Sequence, residues 1–318
     1  MMKMTYAEAA REALAEAMRE DPTVWAVGED LGRGGVFGQY KGLREEFGAD
    51  RISDAPISEA GIMGAAFGAA MVGTRPVVEM RFADFALCAT DELVNQIAKA
   101  RFMFGGQSRA PMVIRKPMGL WRSSAAQHSQ SLESWYAHIP GLVVACPSTP
   151  QDNYSMMRQA IACDDPVVYL EHKDIWLSEG EVDRAENLPL GKARIRREGN
   201  DVTVVSWSQT CNLAAEAADA LKTEGLSVEV IDLRTLWPWD KEAVMESVGR
   251  TGRLIVAHES VQVGGFGAEV VAYVAERIAV KAKRLGAPRS LIAYAPNLEN
   301  QLRVTADMIA DAAREMCA

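Results

Sequence analysis

The chain has 318 residues, 48% hydrophobic and 24% charged, enough for two α/β domains with substantial cores. Its 43 acidic residues against 34 basic ones leave a net charge of -9, which argues against a nucleic-acid surface or an anionic-membrane partner. Five scattered cysteines without a CxxC pair point to a reducing, cytoplasmic setting, and the uncharged stretch 61–74 is too short and too rich in glycine to span a bilayer.

In chain order, Thr5 with Glu8 three residues later reads as a capping box that opens an amphipathic helix, with Ala9, Ala10, Leu14 and Met18 near one face. Residues 5–19 mix acidic with apolar side chains, unlike a targeting segment. A strand over 24–27 ends at Gly28-Glu29-Asp30, followed by a glycine-rich loop over 32–38 and a helical turn over 43–47. Residues 76–80 form a buried-type strand, and 84–104 have helical spacing. Further strands are predicted at 112–115, 142–145 and 167–170, with helices at 131–138 and 151–163. Such alternation predicts a mainly parallel sheet with helices on both faces.

The pattern lapses into a polar stretch at 179–187 before strand and helix alternate again. This divides the chain into domains 1–186 and 187–318. The second domain is expected to hold strands near 202–206, 227–231 and 253–257, helices near 211–223, 240–249 and 267–284, and a final helix over 304–316.

Two segments place polar chemistry beside tight backbone. Asp54 to Gly68 sets Glu59 at the mouth of a helix of small residues; taken alone, Glu59 is explained by the helix dipole, worth roughly 0.3–1 kcal/mol, with Ser58 as a cap. The segment Ala125 to Leu132 surrounds His128, one of four histidines, between a strand and a helix. An imidazole there exchanges protons near neutrality. On this octapeptide alone, a capping serine beside a surface histidine is the simpler account. His138 reads as structural beside Trp135 and Tyr136, and Gly264-Gly265-Phe266-Gly267 as a helix entry rather than a dinucleotide fingerprint.

Six segments in order change that balance: "DAPISEAGIMGAAFGAAMVGTRPVVEMRFADF", "VNQIAKARFMFGGQ", "AAQHSQSLESWYAHIPGLVV", "PSTPQD", "DDPVVYLEHK" and "GGFGAEVVAYVAE". Together they resemble the beta subunit of the thiamine-diphosphate-dependent first component of 2-oxo acid dehydrogenase complexes, including the acetoin branch. The resemblance runs from about Thr5 to Glu299. It implies a transketolase-like pyrimidine-binding domain followed by a smaller α/β transketolase C-terminal domain. It also implies an alpha subunit, in an alpha2beta2 heterotetramer, that holds the diphosphate and Mg2+; a lipoyl acyltransferase is the further partner. No GDG motif with a suitably spaced asparagine occurs here.

Residue by residue, the resemblance makes Glu59 the carboxyl group that bonds the aminopyrimidine ring, where a proton on the ring nitrogen promotes the cofactor's carbon nucleophile. Phe85 matches the stacking aromatic and Ile57 a backbone contact. His128 matches an active-site histidine that donates a proton to the substrate adduct or helps pass the product on. A potassium site built mainly of backbone carbonyls would fall at Met112, Ala160, Cys163 and Asp165, with Cys163 and Asp165 departing from the usual aspartate and asparagine.

Other departures lie near the expected pocket. Arg81, counted with Ile57, Glu59 and Phe85 among the cofactor-binding positions that the resemblance implies, stands next to the pyrimidine pocket where relatives have glutamine or methionine. Met118-Gly119-Leu120-Trp121-Arg122-Ser123-Ser124 replaces a glycine-rich run. Trp121 and Arg122 either shape the substrate entrance, Arg122 bonding a carboxylate, or face the alpha subunit. From Gln301 onward the usual "YLP" pattern is missing. The competing readings are the C-terminal half of a split transketolase and a non-catalytic stabilising subunit; Glu59 and His128 argue against the latter.

Overall fold

Val24–Gly28, Arg75–Glu79, Val113–Met118 and Val167–His172 are short runs rich in β-branched residues, buried on both faces as parallel strands require. The computed structural model describes residues 1–318 and resolves into two units, Met1–Met118 with Trp135–Leu190, and Gly119–Ser134 with Gly191–Ala318.

In the first unit the parallel strands lie side by side in the order Val143–Ala145, Val167–His172, Val113–Met118, Arg75–Glu79, Val24–Gly28 and Ile52–Asp54. Helices Tyr6–Glu20 and Pro150–Ala162 cover one face. Their small and flexible side chains, Ala9, Ala13, Met156 and Met157 among them, form one core with Ala26, Val77 and Val113 of the strands. The capping box is present: Thr5 N–H donates to Glu8 Oε2 at 2.9 Å, and Glu8 N–H donates to Thr5 Oγ1 at 3.2 Å.

In the second unit, parallel strands run in the order Lys281–Ala287, Arg253–Val261, Val202–Ser206 and Val228–Asp232, with Arg194–Arg197 added antiparallel at one edge. Helices Ser208–Lys222 and Ala306–Cys317 pack on this sheet through Cys211, Ala214, Ala218, Ile309 and Ala313.

Several elements differ from the sequence expectation. The expected helix 84–104 is broken into a tight turn at Phe85–Ala89, a widened turn at Glu92–Ile97 and a short helix at Ala100–Met103. The helix expected over 267–284 stops at Ala275, because Lys281–Ala287 pairs in register with Arg253–Val261; sheet pairing overrides helical spacing there. The polar stretch 179–187 contains a strand, Glu179–Val182, paired antiparallel with Met2–Thr5 and tied by a Lys3–Glu179 ion pair.

The sheet of the first unit encloses full charges. Arg115, fully buried, donates through Nε and Nη2 to Glu171, the second bond at 2.9 Å, and lies 3.8 Å from Glu79 Oε2. Asn153 Nδ2 donates to Glu171 at 3.0 Å, Tyr169 OH to Asn153 Oδ1 at 2.8 Å, and Tyr40 OH to Glu79 at 3.0 Å. Burial pushes the Glu79 carboxyl up to about 7, against the pull of Arg115, Tyr40 and Gln39, while the Glu171 charge adds to the push.

Between about pH 4.5 and 7 the native chain therefore keeps a proton that the unfolded chain has lost, so Glu79 lowers stability as pH rises through that window. Glu79→Gln removes this dependence and keeps an acceptor for Tyr40. In urea titrations the variant should gain on the parent between pH 5 and pH 8, by on the order of 1–3 kcal/mol. A difference that is flat with pH, or that moves the other way, contradicts this.

Candidate functional site

In parallel α/β sheets, ligands bind outside the carboxyl ends of the strands. At that edge of the first unit, Val24–Gly28 runs into Glu29 and Asp30, Ile52–Asp54 into the helix that opens with Glu59, and Arg75–Glu79 into Arg81 and Phe85. Gly28 is required by close approach: a Cβ there would lie 2.8 Å from Glu79 O. Asp54 joins the glycine-rich loop to this edge, accepting from Gly32 N–H at 2.8 Å and from Arg44 Nη1 at 2.5 Å.

Glu59 is the first residue of helix Glu59–Met71 and is half-buried; no hydrogen bond or ion pair within the chain engages its carboxylate. Ser58 is not its cap. The Ser58 hydroxyl instead donates to Pro56 O at 2.9 Å, which leaves the helix mouth with one acidic side chain and open N–H groups. Ile57 beside it is 76% exposed, and the helix packs against the turn Phe85–Ala89. Phe85 is half-buried and set edge-on to Phe82 at 5.3 Å between centroids. Contacts of 5.8 Å from Phe82 to Phe37, 5.3 Å from Phe37 to Trp176 and 6.3 Å from Trp176 to Tyr6 continue this aromatic chain into the core.

This donor set suits an aminopyrimidine. A carboxyl group with no internal partner can bond a ring nitrogen, and an anchored aromatic ring offers a stacking face. Arg81 is engaged elsewhere, its guanidinium 3.2 Å from Glu29 Oε2 and 3.4 Å from Asp30 Oδ2, where it neutralises two acids at the end of the neighbouring strand.

His128, Trp121 and Arg122 belong to the second unit, on the loop that begins at Gly119. The loop is unusually wound: Gly119, Arg122, Ser123 and Ala125 have φ of 92°, 44°, 60° and 60°. Left-handed backbone is disfavoured for the three that have a Cβ. The half-buried His128 takes its place in a turn in which its N–H donates to Ala125 O at 3.3 Å, and the exposed Arg122 guanidinium lies 5.4 Å from the Trp121 ring centroid. Glu259 and Glu299, which spacing did not single out as partners of this loop, accept hydrogen bonds from its backbone.

The other histidines divide by burial. His138 is exposed. His258 is buried, stacks on Trp207 at 5.2 Å, and burial pushes its imidazole down to about 4, so it stays neutral. The glycine-rich turn serves this ring. A Cβ at Gly265, Gly267 or Gly286 would come within 2.5, 2.8 and 2.9 Å of His258 ring atoms, so these glycines answer to packing and helix entry. Lys116 is a further buried basic group on the strand Val113–Met118, its Nζ 3.9 Å from the Tyr136 ring centroid, and burial holds its amine well below the usual lysine range.

The positions expected for potassium carry the following contacts. Met112 O accepts from Val167 N–H at 2.9 Å, Ala160 O from Cys163 N–H at 3.3 Å and Cys163 O from Arg75 Nη1 at 3.1 Å, while Arg101 pairs with Asp165 at 3.1 Å. With Arg109 on Asp164 as well, three guanidinium groups crowd this surface. No group of three or more His, Cys, Asp or Glu side chains is placed to hold a metal ion.

Residues 2–176 match the family model for the transketolase pyrimidine binding domain, and residues 191–309 that for the transketolase C-terminal domain. The chain is 39% identical to the 2-oxoisovalerate dehydrogenase subunit beta of Bacillus subtilis (strain 168), covering 99% of both chains. It is 41% identical to the acetoin:2,6-dichlorophenolindophenol oxidoreductase subunit beta of Cupriavidus necator, covering 98% of this chain and 97% of that one. To the pyruvate dehydrogenase E1 component subunit beta of Rhizobium meliloti (strain 1021) it is 40% identical, over 100% of this chain and 70% of the relative. Among solved structures, a split gene transketolase described as an inactive beta4 tetramer superimposes with a TM-score of 0.84 at 22% identity, over 99% of this chain and 98% of that one, which speaks for the fold. The chain belongs to the transketolase family, in the branch formed by the beta subunits of 2-oxo acid and acetoin dehydrogenases.

Proposed function

We propose that this chain supplies the aminopyrimidine side of the thiamine diphosphate site, and a proton-transferring histidine, to a lipoamide-linked 2-oxo acid or acetoin dehydrogenase. An alpha subunit, in an alpha2beta2 heterotetramer, holds the diphosphate and Mg2+, and a lipoyl acyltransferase receives the acyl group. Five free thiols and the absence of any helix long and apolar enough to cross a membrane accord with a cytoplasmic site of action. The observation that carries the reading is Glu59: a carboxylate without an internal partner, at a helix mouth, on the carboxyl edge of the sheet.

When bound, thiamine diphosphate supplies a carbon nucleophile that labilises the bond next to a carbonyl carbon. The Glu59 carboxyl group would bond a pyrimidine ring nitrogen, Phe85 would provide the stacking face, and the Ile57 backbone would offer a polar contact beside it. His128 donates a proton to oxygen on the substrate and takes one back as the product departs. Arg122 stands as the specificity group, its guanidinium suited to a substrate carboxylate.

Glu59→Gln should leave folding and assembly unchanged and reduce turnover by at least about a hundredfold, as loss of one preorganised catalytic hydrogen bond does. Steady-state rates on the chromatographically intact complex decide it, and near-normal turnover refutes the assignment.

Arg122→Gly is a clean probe of specificity because glycine adopts the observed φ of 44° without strain. A charge-assisted hydrogen bond is worth about 1.5–3 kcal/mol, so the KM for a 2-oxo acid should rise roughly 10- to 100-fold. The KM for acetoin, which has no charge, should not change. Equal shifts for both donors, or none, remove Arg122 from the substrate site.

A further inference from the structure

The loop that presents His128 starts at Gly119 and closes where helix Glu133–Ala137 begins. Leu120, Ala126, Ser129 and Leu132 of the loop, with Val261 and Ile292, border a cavity of about 120 Å³. Its backbone also holds three non-glycine residues, Arg122, Ser123 and Ala125, in the left-handed region, from which an unrestrained chain would relax.

Two carboxylates oppose that relaxation. Glu259 Oε1 accepts from Leu120 N–H at 2.8 Å and from Ser131 Oγ at 3.0 Å, so one oxygen gathers both ends of the loop. Glu299, 3% exposed, accepts from Ser123 N–H at 3.1 and 3.3 Å, in the middle of the left-handed run. Bonds to ionised acceptors are stronger than neutral ones, and both acids stand on regular structure. Glu259 lies on strand Arg253–Val261 and Glu299 on the short helix Pro296–Asn300. At its far end the loop is tied by Glu133 Oε1, which accepts from Trp207 Nε1 at 3.2 Å, and by Ser134 Oγ, which accepts from Phe266 N–H at 2.8 Å.

We propose that Glu259 and Glu299 are positioning residues for His128: the second unit uses them to clamp a strained loop in the one conformation that presents the imidazole to substrate. The inference rests on the proposed action of His128. It adds that the C-terminal domain, besides completing the subunit, sets the geometry of proton transfer.

The test uses the chain assembled with its partner subunit. Glu259→Ala and Glu299→Ala should each lower kcat by about tenfold or more, with KM for substrate and for thiamine diphosphate within about threefold, because the loss falls on the transition state. Hydrogen–deuterium exchange of peptides covering 119–132 should rise in both. Glu259→Gln keeps an acceptor oxygen and should restore turnover to within about threefold of the parent. In the double variant Glu259→Ala/His128→Ala, the loss should not exceed that of His128→Ala alone, as for residues that act as a unit.

If Glu259→Ala fails to assemble, Ser131→Ala removes one donor from the same carboxylate and should still raise exchange across the loop. Parental turnover and exchange in Glu299→Ala and Ser131→Ala overturn the proposal, and so do losses that multiply with that of His128→Ala. If His128→Ala itself turns over normally, the reading of His128 fails. Loop exchange in the glutamate variants then still reports whether the clamp exists.

Discussion

The guanidinium of Arg115 is the constraint on which the first unit depends. It is fully buried on the strand Val113–Met118 and can be accommodated only because Glu171 on Val167–His172 accepts two of its N–H groups, with Glu79 on Arg75–Glu79 close by. Removing one partner of such a pair leaves an uncompensated buried charge, typically worth about 3–5 kcal/mol. Three adjacent strands are thus held in one register. Register in turn decides what leaves their carboxyl ends, Arg81 and Phe85 after Arg75–Glu79 among them. Tyr40 extends the network to the glycine-rich loop through its bond to Glu79.

On that frame, each proposed functional segment is marked by something it lacks. Glu59 has no side-chain partner, and the helix behind it exposes Gly61, Gly64 and Gly68, where a Cβ would meet open space or nothing closer than 3.6 Å. The His128 loop lacks the glycines that its backbone angles would favour. Charged acceptors compensate for that deficit of the loop. The division between rigid strand and restrained loop is common where a side chain must be held and still exchange protons.

Much of this was legible in the sequence. The capping box at Thr5 and Glu8, the parallel strands and the placement of Glu59 at a helix mouth follow from local patterns that need no distant partner. The pairing of Met2–Thr5 with Glu179–Val182 was not legible, because a two-stranded ribbon joins segments far apart in the chain and neither is apolar enough to announce itself. Residues 281–284 read in the sequence as the end of a helix, and a neighbouring strand claims their backbone instead. The roles of Arg115 and Glu171 had a signal, charges inside otherwise apolar strand runs, but only the fold names their partners. Glu259 and Glu299 gave none, since their function is to accept from backbone N–H groups more than a hundred residues away. The glycine-rich turn was legible as a helix entry and does open helix Gly267–Ala275, while its packing against the ring of His258 needed the fold.

Under the proposed function, this chain holds one half of a shared cofactor site. Its first unit offers an acid and an aromatic to an aminopyrimidine. Diphosphate and metal are expected to provide much of the affinity. Calorimetric titration with thiamine diphosphate and Mg2+, of the chain alone and of the chain co-expressed with its alpha subunit, separates the possibilities. A shared site predicts no measurable binding to the isolated chain and stoichiometric binding to the complex; tight binding to the folded chain alone would contradict it.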